Sequence, residues 1–410
     1  MKPIGKPKLL ILTSSFPRDP NDETCGYIRD FARSLAPEFS VQVLAPPDKE
    51  AGAWPQDAFT LTRSNSPLPI AIDPFQASAD LNCLTSGSIR VKLAACLSLL
   101  AFFLTAFRLA RRADVICSHW MLPSGFIGSL LSRLLARPHT VIEHSGALHL
   151  LMRMRGGRFL VRFIIRGSHR VITVSRNLKE RLLALCPDAA GKIETIPMGI
   201  TCAGEAKRLP QTDGEQTILF VGRLCPIKGV PVLLKAAERL NGARVIIAGD
   251  GESRAKLEAM ARRLSVKATF LGRIDAAQRE RLFSLCDVAV IPSLALPDGR
   301  TEGRPVVCLE VMAAGLPVIA SRTGGLAEII TDGYNGLLFA PGDDRMLSEK
   351  LQLVLSDSNL RQALARNACR TAEGHDWRQI GPRYAEIIHS SMRSDGNIYS
   401  QRINARVANG

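Results

Sequence analysis

Short apolar runs of strand length recur along the whole chain, each separated from the next by a longer helical pattern. No other feature constrains the fold as strongly. In the first half the runs are KLLILT (8–13), SVQVLA (40–45), DVICSH (114–119), HTVIEH (139–144), RVITVS (170–175) and IETIP (193–197). In the second half they are TILFVG (217–222), ARVIIAGDG (243–251), ATFLG (268–272), DVAVIPS (287–293) and LPVIAS (316–321). Nearly unbroken apolar strands belong to parallel sheets covered by helices on both faces. Two such series in 410 residues predict an α/β chain of two doubly wound, Rossmann-like domains. The predicted boundaries are an N-terminal domain over 1–201, a polar linker over 202–216 and a C-terminal domain over 217–375. A helix over 376–390 is expected to return to the first domain, followed by a mobile tail over 391–410.

Charge narrows the partners. A formal net charge of +15 favours an anionic one: nucleic acid, an acidic membrane or a phosphorylated substrate. Aromatics are only 5%, and no Lys/Arg run is interleaved with them, so no stacking surface for single-stranded nucleic acid is expected. The ten cysteines form no C-x-x-C pair, and Cys96, Cys117, Cys286 and Cys308 lie in apolar runs, which reads as core thiols in a reducing cytosol. The apolar run Leu9–Leu12 is too short for a signal peptide, so a cytoplasmic location is expected.

Two stretches raise a membrane question. The uncharged run Leu93–Phe107 lies between basic residues and would rise roughly 22 Å as a helix, short of a roughly 30 Å hydrocarbon core. It reads as a buried crossover helix feeding DVICSH, with a helix lying in the membrane interface as the alternative. In MRMRGGRFLVRFIIRGSHR (152–170), Arg153, Arg155, Arg158, Arg162 and Arg166 recur at helical spacing around Phe159, Phe163 and Ile164. That stretch is either a solvated basic face or part of a peripheral contact with an anionic membrane.

Several strand ends carry candidate chemistry. Ligands of open α/β sheets bind beyond the carboxyl ends of strands. There, FVGRLCPIKG places Arg223 and Lys228, two cations that suit a diphosphate if they are more than solvated surface charges. IIAGDGES places Gly249 and Gly251 near a helix start, but position 254 is Arg254, so the dinucleotide fingerprint is incomplete and a nicotinamide enzyme is disfavoured. Beyond DVAVIPS lies Glu302, then Gly303, Arg304 and Pro305, with Pro305 expected in the first turn of a helix over 306–314 and Glu310 at its head. The helix N-terminus suits an anion, which leaves the two carboxylates to accept hydrogen bonds from sugar or ribose hydroxyls, or merely to favour the helix dipole. No D-x-D triplet and no His/Asp cluster of ligand spacing occurs, so no metal or other cofactor is expected.

The order GR-x4-KG, GDG, E-x7-E and AAGLPVIAS-x-x-GG-x-x-E, closed by DGYNGLLFAPGD (332–343) and HDW (375–377), resembles the retaining GT-B glycosyltransferases of the family four type. The resemblance covers most of 8–390 and is densest over 217–345. It implies two domains facing across a cleft and metal-independent, retaining transfer of a sugar from a nucleotide diphosphate sugar to an acceptor hydroxyl. By resemblance, Arg223 and Lys228 bind the donor diphosphate and Glu310 the ribose hydroxyls. Glu302, with the backbone of Gly303 and Arg304, holds the donor sugar. Where the family often has an aromatic residue, this chain has Arg304, whose side chain inherits no role. Gly324, Gly325 and Glu328 would shape the same crevice. In the first half, Gly26 resembles the residue near the donor diphosphate, although the usual double glycine is missing. His144 in EHSG resembles the histidine lining the donor-sugar pocket, with His119 in SHWMLPSG as its competitor; Ser175 is expected to cap a helix. The acceptor would be a sugar, a lipid-linked glycan or a polysaccharide of the cell envelope, and nucleic acid would not be a partner. A nucleotide-sugar epimerase or hydrolase of the same fold, or a non-catalytic donor-binding subunit, would share these features.

Overall fold

The computed structural model describes residues 5–22, 25–48, 51–52, 54–65, 89–202, 216–240, 242–297 and 299–393. The expected linker lies outside the described residues except at its two ends, as does the expected tail beyond Arg393. The chain divides into two compact units, residues 1–197 with 377–410, and residues 198–376.

The first unit runs β1 (Lys8–Leu12), α1 (Gly26–Leu35), β2 (Ser40–Ala45), β3 (Phe59–Arg63), α2 (Ile89–Ala110), β4 (Val115–His119), a π-type turn (Met121–Gly125), α3 (Phe126–Leu135), β5 (His139–Glu143), α4 (Gly146–Arg153), α5 (Gly157–Arg166), β6 (Arg170–Thr173), α6 (Arg176–Leu185) and β7 (Ile193–Thr195). Its seven described strands are parallel in the order β3-β2-β1-β4-β5-β6-β7. The winding direction reverses between β1 and β4, and that reversal opens a crevice at their carboxyl ends. Leu10, Leu12, Leu44, Ile116, Phe102 of α2 and Leu131 of α3 share one core under the sheet. The side chain of Ser175 accepts a hydrogen bond from the N–H of Leu178 and so caps α6.

The second unit runs β8 (Thr217–Val221), a 3-10 turn (Pro226–Lys228), α7 (Val230–Glu238), β9 (Arg244–Ala248), α8 (Arg254–Arg263), β10 (Ala268–Gly272), α9 (Ala276–Leu285), β11 (Val288–Ile291), α10 (Val306–Ala313), β12 (Val318–Ser321), α11 (Leu326–Ile329), β13 (Leu337–Phe339), α12 (Asp344–Ser356) and α13 (Ser358–Glu373). Its six described strands are parallel and lie in the order β10-β9-β8-β11-β12-β13, with the reversal between β8 and β11. Strand periodicity shows directly in the packing. Ile218, Phe220, Val245, Ile247, Val288 and Val290 enter one core, while Leu219, Ile246, Ala289 and Ile291 enter another on the opposite face. Both faces are therefore buried, as the unbroken apolar runs require. A last helix, α14 (Trp377–Arg393), groups with the first unit.

Several expectations are corrected. Residues 198–201, read as the end of the first domain, join the second, where the N–H of Ile200 donates to the carbonyl of His375. The last helix extends past 390, and Ser391 and Met392 are buried on it rather than part of a tail. Pro305 is extended and caps α10 from outside, instead of entering its first turn. Cys96 is exposed, unlike the buried Cys117, Cys286 and Cys308. Helix α2 is a crossover helix feeding β4, but only one of its faces is covered: Phe102, Ala106 and Ala110 are fully buried, whereas Ile89 and Leu93 are 84% and 59% exposed.

Candidate active-site residues and family membership

In the second unit, the loops after β8, β9, β11 and β12 all leave the carboxyl edge of the sheet. Lys228 ends the 3-10 turn after β8, and its Nζ lies 2.9 Å from Oε1 of Glu302 in the loop after β11. These residues are 74 positions apart in sequence. Both side chains are largely buried, at 20% and 12% exposure, so water screens the pair only in part. Packing fixes the turn, because Gly229 has φ +65° and a Cβ there would run into the Pro292 carbonyl. The Glu302 carbonyl in turn accepts from the N–H of Gly325, 3.3 Å away, which seats the 302–304 loop on the Gly324–Gly325 turn after β12.

The remaining candidates of this unit are placed around that pair. Arg223 lies in the same loop as Lys228 but points to Glu252 at 3.1 Å, with both side chains more than half exposed. Gly249 and Gly251 stand where any Cβ would strike the carbonyls of Gly222 and Leu224, so they let the Arg223 loop lie on the strand end beside it. Glu310 is the fifth residue of the eight in α10, in the middle of the helix rather than at its head. Its carboxylate accepts from Nη1 of Arg279 on α9 at 3.3 Å. The Arg304 side chain is nearly buried, donates to Nε2 of His375 at 2.8 Å and lies 3.9 Å from Glu328. His375 Nδ1 is 2.9 Å from the carbonyl of Thr371, a contact that requires its proton on Nδ1 and leaves Nε2 to accept from Arg304.

In the first unit the candidates gather at the β1/β4 reversal. Gly26 opens α1, His119 ends β4 and His144 follows β5. His119 Nδ1 and His144 Nε2 are 3.0 Å apart and share one hydrogen bond, so the competitors are partners. The His144 ring also lies against Trp120 at 4.9 Å and Tyr27 at 5.6 Å. Desolvation pushes His144 down to about 3 and holds His119 well below the usual histidine range. Both rings are therefore neutral at neutral pH.

The backbone around these residues is strained. Five non-glycine residues have positive φ among the described residues, and three of them, Cys25, Trp120 and Ser145, adjoin Gly26, His119 and His144. Such conformations cost about 1–3 kcal/mol each and persist where neighbours enforce them. Glu143, fully buried, supplies that enforcement on two of the loops. Oε2 accepts from the N–H of Met121 at 2.9 Å, and Oε1 accepts from Ser145 at 2.8 Å and Leu148 at 3.2 Å. Burial pushes its carboxyl up against the opposing pull of these three donors. Glu143 was not among the sequence candidates, although a carboxylate ending an otherwise uncharged strand core was a visible signal. Arg279 gave no signal, since nothing in its helix pattern points to Glu310.

Among the described residues, no three His, Cys, Asp or Glu side chains come together as a metal site.

Comparison with known proteins places the chain. Residues 205–371 match the family model "Glycosyl transferases group 1", and residues 26–199 match "Glycosyl transferase 4-like domain". The uncharacterized glycosyltransferase MJ1178 of Methanocaldococcus jannaschii is 31% identical over 266 residues, covering 64% of this chain and 72% of that protein. Among solved structures, Anabaena Alr3699/HepE in complex with UDP and glucose shares the fold at a TM-score of 0.72 and 18% identity, covering 93% of this chain and 99% of that one. WaaG, a glycosyltransferase involved in lipopolysaccharide biosynthesis, matches at a TM-score of 0.65 and 18% identity, again over 93% of this chain and 99% of its own. Two parallel-sheet α/β units, two family models and relatives of this similarity agree: the chain belongs to the family four glycosyltransferases and has the GT-B fold.

Proposed function

We propose that this glycosyltransferase moves a sugar from a nucleoside diphosphate sugar to an acceptor hydroxyl with retention of anomeric configuration. The observation that carries the reading is the Lys228–Glu302 pair at the β8/β11 reversal. It sets a cation suited to a diphosphate beside a carboxylate suited to sugar hydroxyls. In the absence of donor each group neutralises the other. A diphosphate would compete for Lys228 and free Glu302 to accept hydrogen bonds from the sugar. Arg223, also at this edge, would release Glu252 in the same way. Glu310, oriented by Arg279, is assigned to the ribose hydroxyls, and the backbone of Gly303 and Arg304 to the donor. Gly249 and Gly251 support the phosphate loop, and Gly26 and His144 are the corresponding assignments on the first unit.

In the step itself, the bond from the anomeric carbon to the diphosphate oxygen breaks. The acceptor oxygen bonds to that carbon on the same face, and its proton passes to the departing diphosphate. Positive charges fixed in advance around the leaving group are the main source of rate. Arg223 and Lys228 fill that role here, so no metal is assigned one.

The UDP and glucose bound to HepE make UDP-sugars the first donors to try. The acceptor is proposed to be a lipid-linked glycan or polysaccharide of the cell envelope, met by the protein in the cytoplasm. The lipopolysaccharide role of WaaG and the basic first unit support this.

Calorimetry with UDP, GDP and ADP and their sugars identifies the donor, and NMR of the product gives the anomer. One nucleotide series should bind, and Lys228→Ala should weaken it by about 1.5–3 kcal/mol. Activity should survive EDTA. Unchanged nucleotide affinity in the variant removes the diphosphate assignment, an inverted product removes retention, and a requirement for added divalent cation removes metal independence.

A further inference from the structure

Helix α2 is the only described helix long and apolar enough to cross a membrane. Yet Phe102, Ala106 and Ala110 on one side of it are locked into the first unit's core, so it cannot leave the sheet to span one. Its other side presents Ile89, Leu93, Leu100 and Leu104, between 47% and 84% exposed, together with the exposed Cys96. At about 100° per residue these five fall within an arc of roughly 80°. They form one narrow apolar stripe in contact with water, flanked by the exposed cations Arg90, Lys92 and Arg108.

The stripe does not stand alone. Residues 89–179 carry fifteen Lys/Arg against two acids, Asp114 and Glu143, so this segment holds +13 of the chain's formal +15. One of those acids is fully buried. α3 packs against both α2 and α5, placing all three helices in one layer. At the start of α5, Phe159 is 71% exposed beside the exposed Arg155 and Arg158.

From this geometry we propose that the α2 stripe and the start of α5 dock the first unit on the surface of an anionic lipid bilayer. Leucine and phenylalanine side chains enter the headgroup boundary while the flanking Lys and Arg reach the lipid phosphates, as an amphipathic helix lying in an interface does. The apolar stripe selects a bilayer over nucleic acid, because a polyanion in water gains nothing from Leu93 and Leu100. The inference rests on the first unit alone and is independent of the donor assignment above.

The test is cosedimentation of the full chain with vesicles of phosphatidylcholine alone or mixed with phosphatidylglycerol, at low and high salt. Wild type should bind the anionic vesicles at least roughly tenfold better than the neutral ones, and high salt should release it. Two variants separate the components: Leu93→Ser with Leu100→Ser, and Lys92→Gln with Arg158→Gln. These positions are exposed, so circular dichroism should be unchanged, and each pair should weaken binding by about fivefold or more. Equal binding to neutral and anionic vesicles overturns the proposal. So does full binding by the leucine variant, which would mark a simple polyanion patch. If wild type is a dimer that the leucine variant turns into a monomer with vesicle binding intact, the stripe covers a second copy of the chain and the proposal also falls.

Discussion

Glu143 illustrates how one side chain governs a site without being expected to touch substrate. Its two oxygens hold three N–H groups, one beside the strained Trp120 and another on the strained Ser145. Glu143→Gln keeps the size but turns one acceptor into an NH2 facing an N–H. It should cost about 1.5–3 kcal/mol, as for a hydrogen bond to a charged group, and lower turnover by disordering the loop of His144. Wild-type stability and turnover in this variant would show that the loops hold themselves. The histidines make a pH prediction. The unfolded chain protonates a histidine near 6.5, whereas folded His144 resists until about 3. Between those values the unfolded state binds more protons, so the stability this group contributes is complete above about 6.5 and is lost as pH falls toward 3. His144→Asn should therefore show a shallower acid loss in urea unfolding, by at most about 1.4 kcal/mol per pH unit. An identical slope in wild type and variant would mean that folded His144 titrates normally. The two glutamates of the second unit should also separate kinetically. Glu310, assigned to the unreacting ribose, should on change to Gln raise KM for the donor more than it lowers kcat; Glu302→Gln, at the sugar, should lower kcat more.

Elements were legible where their own residues decide them. Every apolar run named from the sequence is a strand, because parallel strands covered on both faces need uninterrupted apolar side chains. The two missed strands were hidden for different reasons. FTLTR (59–63) lies at the edge of its sheet and alternates polar with apolar residues, and LLF (337–339) is only three residues between turns. Pairings across the sheet were not legible: nothing near Lys228 in sequence indicates Glu302, and nothing near Glu310 indicates Arg279. The connecting turns offer a sharper test at this scale. An alanine at Gly229 would suffer both the left-handed backbone at φ +65° and a collision with the Pro292 carbonyl. Gly242→Ala meets the first cost alone, at φ +79° with no atom within 4 Å. The Gly242 variant should lose about 1–2 kcal/mol, and the Gly229 variant more than that together with its nucleotide affinity. Equal losses in chemical denaturation would show that the 3-10 turn can shift away from Pro292 freely.

The whole molecule is not two consecutive halves, since the chain leaves the first unit at Pro197 and rejoins it at Trp377. The returning α14 buries Ile380, Tyr384, Ile388 and Met392, an apolar face at helical spacing that the sequence displays, though not the surface it covers. That surface is α1 and its surroundings. The Tyr384 ring meets Phe31 edge-on at 5.1 Å, its hydroxyl donates to the carbonyl of Ile196 at 2.9 Å, and His389 stacks on Phe39 at 4.4 Å. A fully buried tyrosine with these contacts should be worth about 3–5 kcal/mol when cut to alanine, by analogy with other large aromatic truncations. All three tryptophans, Trp54, Trp120 and Trp377, belong to the first unit, so their fluorescence follows its unfolding alone, while far-ultraviolet circular dichroism follows both units. Tyr384→Ala should move the fluorescence transition to lower denaturant and leave a second, dichroism-only transition in place. Tyr384→Phe, which loses only the hydroxyl, should shift the first transition by about 0.5–1.5 kcal/mol. A single transition seen equally by both probes would mean that the two units unfold as one cooperative body, with α14 stabilising the whole rather than the unit it packs on.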